Sequence, residues 1–227
     1  MKYHIEFDLD FKRNKAPGKY IVIEGIDGSG KTTQVERLTE YLHKKGKPVV
    51  PTREPRKGTG LIGELIQKIL QGKTTIPSIA FQYLFTADRA MHHAELILPS
   101  LAKGDIVVSD RCFWSTIPYG IMDREGAFDP KTAEFLMISQ SILSFYHQFT
   151  IPDYTFYLDV PLDLAMKRLK AADGETEIYE HRGKLAKTLK GYDWLLQKFP
   201  KEFIVIDAAK SVEQVTEDII SHVNKIL

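Results

Sequence analysis

The chain has a single cysteine, Cys112, in 227 residues. One thiol cannot close an intrachain disulfide or build a multi-cysteine zinc site, and it suits a reducing cytoplasm. An excess of charge of one sign is also missing. Lys plus Arg number 31 against 30 Asp plus Glu, a formal net charge of +1. Near-neutrality excludes a protein whose main task is to coat nucleic acid or an acidic membrane. Affinity for phosphate must then come from local placement of charge. Long apolar runs are absent too. The longest stretch free of Asp, Glu, Lys and Arg, residues 135–152, is studded with Ser, Gln, Tyr and His. It lacks the near-continuous apolarity of a spanning helix. Its Leu136, Ile138, Ile142, Leu143, Phe145 and Phe149 cover a wide helical face, which reads as a buried or subunit-facing helix. The N-terminus MKYHIEFDLDFKRNK has neither the apolar core nor the cleavage site of a signal peptide.

What is present is a chain long enough to bury a core without a metal or disulfide staple. Short apolar runs alternate with amphipathic stretches. Tyr20–Ile23, Pro48–Val50, Ile106–Val108, Thr155–Leu158 and Phe203–Ile206 read as strands. Helical spacing covers 31–43, 58–71, 78–102 with a bend near Pro99, 130–149, 162–171 and 211–225. In 58–71 the residues Leu61, Ile62, Leu65, Ile66 and Ile69 fall on one side. Five strands alternating with helices predict an α/β fold, a parallel sheet covered on both faces. No repeat, low-complexity tract or linker divides the chain, so one domain is expected. Before it, Ile5, Phe7, Leu9 and Phe11 alternate with acids in a strand-like pattern. That segment either pairs with a sheet edge or a partner, or is a free extension.

The strongest chemical signal is Gly25-Ile26-Asp27-Gly28-Ser29-Gly30-Lys31-Thr32, followed by Thr33. It fits G-x-x-x-x-G-K-[ST] and lies between a strand and a helix, the setting the motif requires. Its glycines let backbone N–H groups wrap phosphate oxygens, and the helix adds its N-terminal amides. Lys31 can reach β- and γ-phosphates of ATP, and the Thr32 hydroxyl can join a Mg²⁺ shell. Ser109-Asp110-Arg111 follows the Ile106–Val108 strand, at the edge where open α/β sheets bind ligands. Asp110 suits indirect Mg²⁺ ligation. The forked guanidinium of Arg111 suits a phosphate, although a structural ion pair with Asp110 or another acid is the plainer alternative. The Asp-Gly and Asn-Lys-x-Asp patterns of a GTPase do not occur.

Arg53, in Thr52-Arg53-Glu54-Pro55, also falls at a strand C-terminal end. Phe85 and Arg89, at i and i+4, share a helix face; a ring beside a guanidinium can hold a flat base. A core Phe and a surface Arg would show the same spacing. His92 and His93 are adjacent, so they diverge and make a poor metal pair; packed or surface histidines are expected.

Taken together, EGIDGSGKTTQ (24–34), TREP (52–55), LFTADRAMHHAELILPSLAKGDIVVSDRC (84–112) and PDYTFYLDVP (152–161) resemble the thymidylate kinase family. These are P-loop enzymes that move a phosphoryl group from ATP to dTMP. The resemblance spans roughly Lys19 to Ala208 and implies a three-layer P-loop fold of five parallel strands with a short lid, here about 171–182. It therefore divides the chain into an extension, 1–18, and a kinase domain, 19–227. It implies that Asp27 approaches the nucleotide sugar and metal and that Arg53 lies beside the acceptor phosphate and the transferring group. Phe85 would stack on thymine, Arg89 would contact its carbonyl, and Arg111 would hold the dTMP phosphate. Thr116 would contact the base, Tyr119 would crowd the sugar 2′ position, and Tyr179-Glu180 would follow the lid with the acid near nucleotide and metal. It also implies a homodimer with no nucleic-acid or membrane partner, located in the cytoplasm and serving dTTP synthesis.

The sequence departs from the family at Cys112, where Tyr or His is common, and at Ile117-Pro118-Tyr119-Gly120, whose proline restricts a loop. Gly28 stands where one branch has a catalytic arginine, and the lid is acidic where the other branch places it. Arg168, on the helix leading into the lid, is the candidate for that role, with Lys170 and Arg182 nearby. Two other functions fit parts of the pattern: a kinase of different or broader base preference, such as dUMP or UMP, and a non-catalytic ATP-binding switch.

Overall fold

The five apolar runs form one sheet. The three central ones are buried along nearly their whole length and satisfy their backbone only by pairing, while the two edge strands keep exposed residues. In the computed structural model, which describes residues 10–122, 147–171 and 181–227, the strands are β1 (Lys19–Glu24), β2 (Val49–Arg53), β3 (Ile106–Asp110), β4 (Tyr154–Asp159) and β5 (Ile204–Asp207). All pairs are parallel, in the order β2-β3-β1-β4-β5. Chain connections leave β1 and β3 toward opposite edges, so a crevice opens beyond their C-terminal ends. Register aligns Ile23 and Arg53 with Asp110, which brings three sequence motifs to that crevice. Pro51 is tolerated because β2 is an edge strand.

The helices are α1 (Lys31–Lys44), α2 (Gly60–Leu70), α3 (Ser78–His92), α4 (Leu98–Lys103), α5 (Thr116–Met122), α6 (Leu162–Ala171), α7 (Arg182–Lys198) and α8 (Val212–Val223). Three differ from expectation. Along α2 the buried stripe is Gly63, Ile66, Ile69 and Leu70, whereas Leu61 is 86% exposed and Leu65 36%. The cause is Gly63: a Cβ there would lie 2.2 Å from the Arg56 carbonyl, so this face must turn inward. In the 78–102 tract the irregularity precedes Pro99 as one wide π-type turn, His93–Ile97. Widening relieves the clash between a proline ring and the carbonyl four residues earlier. The restricted loop expected around Pro118 is instead helix α5, since a first-turn proline gives up an N–H that has no intrahelical partner.

Helix α7 has no counterpart in the sequence reading. It packs on α5, with Gly191 against Pro118: a Cβ at Gly191 would meet Pro118 Cα at 2.6 Å. The helix expected over 130–149 falls outside the described residues from 130 to 146, and 147–149 form a turn. The lid residues 172–180 and the alternating residues 1–9 are also outside them. Residues 10–18 dock on the domain. Lys12 bridges Thr150 in parallel, Ile151 N donates to Lys12 O at 2.9 Å, and Arg13 pairs with Glu202.

Candidate active site

The loop after β1 turns through glycines at positive φ: 147° at Gly25, 80° at Gly28 and 95° at Gly30. Gly28 is demanded twice over. A Cβ on it would sit 2.4 Å from the Ala165 carbonyl of α6, so an arginine there would have to displace that helix. Gly25 and Ile26 lie behind the cleft, while Asp27 to Thr33 line it. The Ser29 hydroxyl is buried with no hydrogen-bond partner among the described residues, a donor that a phosphate oxygen could use.

Lys31 Nζ donates to Ile26 O at 2.9 Å and stands 3.7 Å from Asp27. Burial and the Arg111 charge push its ammonium down, against Asp27, Asp110 and Glu24. An arriving anion would relieve that cost. Thr32 Oγ1 donates to Asp110 Oδ2 at 2.6 Å, which joins the P-loop to the end of β3. This hydroxyl and carboxylate beside a phosphate cradle are hard oxygen donors that suit Mg²⁺. Among the described residues no group of three or more His, Cys, Asp and Glu could hold a metal.

Arg111 adopts φ 73°, rare for a residue with a side chain. Its guanidinium donates to Gly25 O (3.0 Å), Ser115 Oγ (3.1 Å), Tyr192 OH (3.3 Å) and Tyr119 OH (2.6 Å), and pairs with Asp27. It also lies 4.7 Å from the centre of the Tyr119 ring. The ion-pair alternative therefore holds with Asp27 as the partner, while Asp110 is engaged by Thr32. Tyr119 OH donates to Asp27 Oδ2 at 2.9 Å. Burial alone would push the Asp27 carboxyl up; the charges of Arg111 and Lys31 and the hydrogen bonds outweigh it and hold Asp27 well below the usual carboxylate range.

Phe85 and Arg89 line the same cleft, of about 600 Å³, as the P-loop. Phe85 rests on Phe81 with ring centres 4.4 Å apart. Arg89 is buried, pairs with Glu54, and donates to Thr116 Oγ1 at 2.7 Å and to Cys112 O at 3.3 Å. Thr116 and Tyr119, from α5, line it as well. Arg53 is exposed at the end of β2 and lines the cleft, with no side-chain partner among the described residues. Arg168 lines it from α6 and donates to Ala208 O at 3.0 Å. Tyr179 and Glu180 are outside the described residues.

Two buried networks escaped the sequence reading. Glu24 accepts from Cys112 N (2.9 Å), Ser115 Oγ (2.7 Å) and Tyr192 OH (2.7 Å), tying β1 to the turn after Arg111 and to α7. A glutamate closing an apolar strand was its only trace. The second joins Glu54 to Arg89 and to His92 Nδ1 at 3.1 Å, while His92 Nε2 meets Thr52 Oγ1 at 2.7 Å. His92 and His93 are both buried, and His93 stacks on Phe149.

Burial would raise the Glu54 carboxyl; the Arg89 charge, the His92 hydrogen bond and the nearby imidazoles bring it from 4.5 to about 2. The folded value lies below the unfolded one, so this ionised carboxylate stabilises fully above about pH 4.5, and its contribution is lost as pH falls toward about 2. Glu54→Gln is expected to cost about 3 kcal/mol at neutral pH, because Arg89 is left buried without its counter-charge. In urea titrations from pH 7 to 3, the variant should lose less stability than the parent.

A strand, phosphate-cradling loop and helix, with an acid–hydroxyl pair and opposed arginines at one sheet edge, define a P-loop phosphotransferase. Comparison narrows the class. The profile of the thymidylate kinase family matches residues 23–219. A thymidylate kinase of Bifidobacterium longum subsp. infantis is 36% identical over 215 residues, covering 92% of this chain and 88% of that relative. One from Thermoanaerobacter sp. is 35% identical over 211 residues, covering 92% and 99%. The solved thymidylate kinase of Candida albicans, described as having broad substrate specificity, superposes with a TM-score of 0.78 at 27% identity over 93% of both chains. The chain belongs to the thymidylate kinase family.

Proposed function

We infer that the protein transfers the γ-phosphoryl group of ATP to dTMP, giving dTDP and ADP for dTTP synthesis. The observation that carries this reading is one cleft lined both by a phosphate cradle and by an aromatic–arginine pair, Phe85 and Arg89. The P-loop amides from Asp27 to Gly30 and Lys31 bind the ATP phosphates, with Gly25 and Ile26 shaping the loop behind them and Thr33 beside them. Arg111 takes the acceptor phosphate, exchanging part of its internal contacts for it, and Arg53 reaches the space between the two phosphates. Phe85 stacks on thymine; Arg89, fixed by Glu54, presents the Thr116 hydroxyl and its own donors to the base. Tyr119, held against Asp27 and Arg111, crowds the sugar 2′ position.

The acceptor oxygen is already a nucleophile, so no strong general base is needed; alignment, charge stabilisation and exclusion of water carry the rate. Mg²⁺, held by Thr32 with Asp110 acting through water, would neutralise charge on the donor phosphates. Arg168 supplies the remaining positive charge at the transfer point once it leaves the Ala208 carbonyl. Measuring Mg·ATP-dependent ADP release with dTMP, dUMP, UMP, AMP and GMP in turn tests the reading. Selective turnover of dTMP is expected; a different preferred acceptor would select another base preference, and no acceptor dependence a switch.

One kinase domain, 19–227, is the reading for the chain, with 1–18 appended. The exposed apolar residues Leu61, Tyr83, Met91 and Leu98 fit a homodimer seam; mass by light scattering tests it. Among the described residues no helix is long and apolar enough to cross a membrane. A buried free thiol at Cys112 fits a reducing cytoplasm, where we place the reaction.

A further inference from the structure

The turn that carries the acceptor-site residues is held in an unfavourable shape. Arg111 sits at φ 73° with a full side chain, a conformation that persists only when its surroundings impose it. On the cleft side, the Ser109 hydroxyl donates to Arg111 O at 2.7 Å, and Glu24 holds Cys112 N and Ser115 Oγ. After Cys112, Phe113 and Trp114 are buried in a short 3₁₀ turn, Phe113–Ser115, that leads directly into Thr116. The Trp114 indole N–H has no hydrogen-bond partner among the described residues. Among the described residues the ring is therefore held by packing against its neighbours.

One of those neighbours comes from outside the stretch matched by the family profile. Phe11 lies 5.5 Å from Trp114, 6.0 Å from Phe113 and 5.8 Å from Phe199, ring centre to ring centre. Its segment is fastened by the three residues that follow that contact. Lys12 bridges Thr150, Arg13 binds Glu202 at 2.8 Å, and the Asn14 amide donates to Asp153 at 2.8 Å. A ring placed against the back of a strained turn limits how far the turn can relax.

We propose that residues 10–18 form a brace for the acceptor half of the site, in which Phe11 is a positioning residue acting through Phe113 and Trp114 on Arg111 and Thr116. The P-loop backbone is carried by β1 and α1 and meets the braced turn only at its near end, where Arg111 reaches Gly25 O and Asp27. The stretch from Gly28 to Thr33 therefore lies further from the brace than Arg111 and Thr116 do. Losing the ring should therefore weaken the acceptor side selectively.

The proposal rests on dTMP as acceptor, so wild-type turnover with dTMP is measured first. If another nucleotide proves to be the acceptor, that earlier reading fails and the same comparison is made with the nucleotide found. For Phe11→Ala, KM for dTMP should rise by about tenfold, since small displacements of aligned groups have large effects. KM for ATP should stay within about twofold, and tryptophan emission should shift to the red. Phe11→Leu, which refills most of the space, should restore most of the dTMP affinity. If Phe11→Ala does not fold, Arg13→Ala loosens the segment at an exposed ion pair and should raise KM for dTMP in the same sense. A folded variant with unchanged KM for dTMP, or with equal changes for dTMP and ATP, overturns the proposal.

Discussion

Lys31→Ala is expected to lower kcat by about 10³-fold, the scale of removing a preorganised charge from a phosphoryl-transfer site. The fold should survive. Lys31 is 6% exposed and donates to one backbone carbonyl, and burial opposes its charged form, so this site is not arranged for stability. Asp27 keeps Arg111 and Tyr119 as partners once the ammonium is gone. The midpoint of thermal unfolding should move by less than about 4 °C, equivalent to about 1 kcal/mol in a chain of this size. Steady-state turnover under saturating Mg·ATP and dTMP, read beside a melting curve, checks both halves. Near-wild-type turnover would sink the assignment of the P-loop as the donor site.

That expectation needs little beyond sequence, and the reason is local. The elements that bind ATP phosphates are contiguous: an apolar run, a glycine-rich turn and an amphipathic helix, all within residues 19–44. Asp110 and Arg111 were legible for the same reason, as polar residues closing the buried run of β3. What each one contacts was not. Arg111 turns to Asp27, 84 residues earlier, while Asp110 turns to Thr32. Helix α7 was missed although Leu185, Leu189, Tyr192 and Leu195 recur at helical spacing. Gly183, Gly191 and four lysines depress the local signal, and Gly191 is explained only by Pro118 against it. The orientation of α2 was lost for a related reason, since Gly63 counts as nothing in an apolar pattern yet decides which face approaches Arg56. Glu54 and His92 illustrate a third kind of silence. The sequence leaves His92 as either packed or exposed and does not mark Glu54 as buried; they become a buried pair only when β2 and α3 are brought together.

Arg111→Lys tests the acceptor side with the charge retained. A change of about 10² to 10³ in kcat/KM for dTMP is expected, with KM for ATP nearly unchanged, because an ammonium cannot reproduce a planar fork. The guanidinium here reaches Gly25 O, Ser115, Tyr192, Tyr119 and Asp27 at once and lies over the Tyr119 ring. Lysine has three donors and no plane, so it must abandon either this network or the incoming phosphate. The left-handed backbone at position 111 is equally costly for both residues, so strain cancels from the comparison. Charge cancels as well. What remains is geometry, and it should appear in the acceptor terms alone. Arg111→Gly makes the complementary comparison: it relieves the backbone and removes the charge, so its dTMP turnover should fall further while its melting temperature falls less than loss of five contacts would suggest. If Arg111→Lys instead raised KM for ATP and dTMP alike, the arginine would be serving the whole cleft, and its assignment to the acceptor phosphate would be wrong.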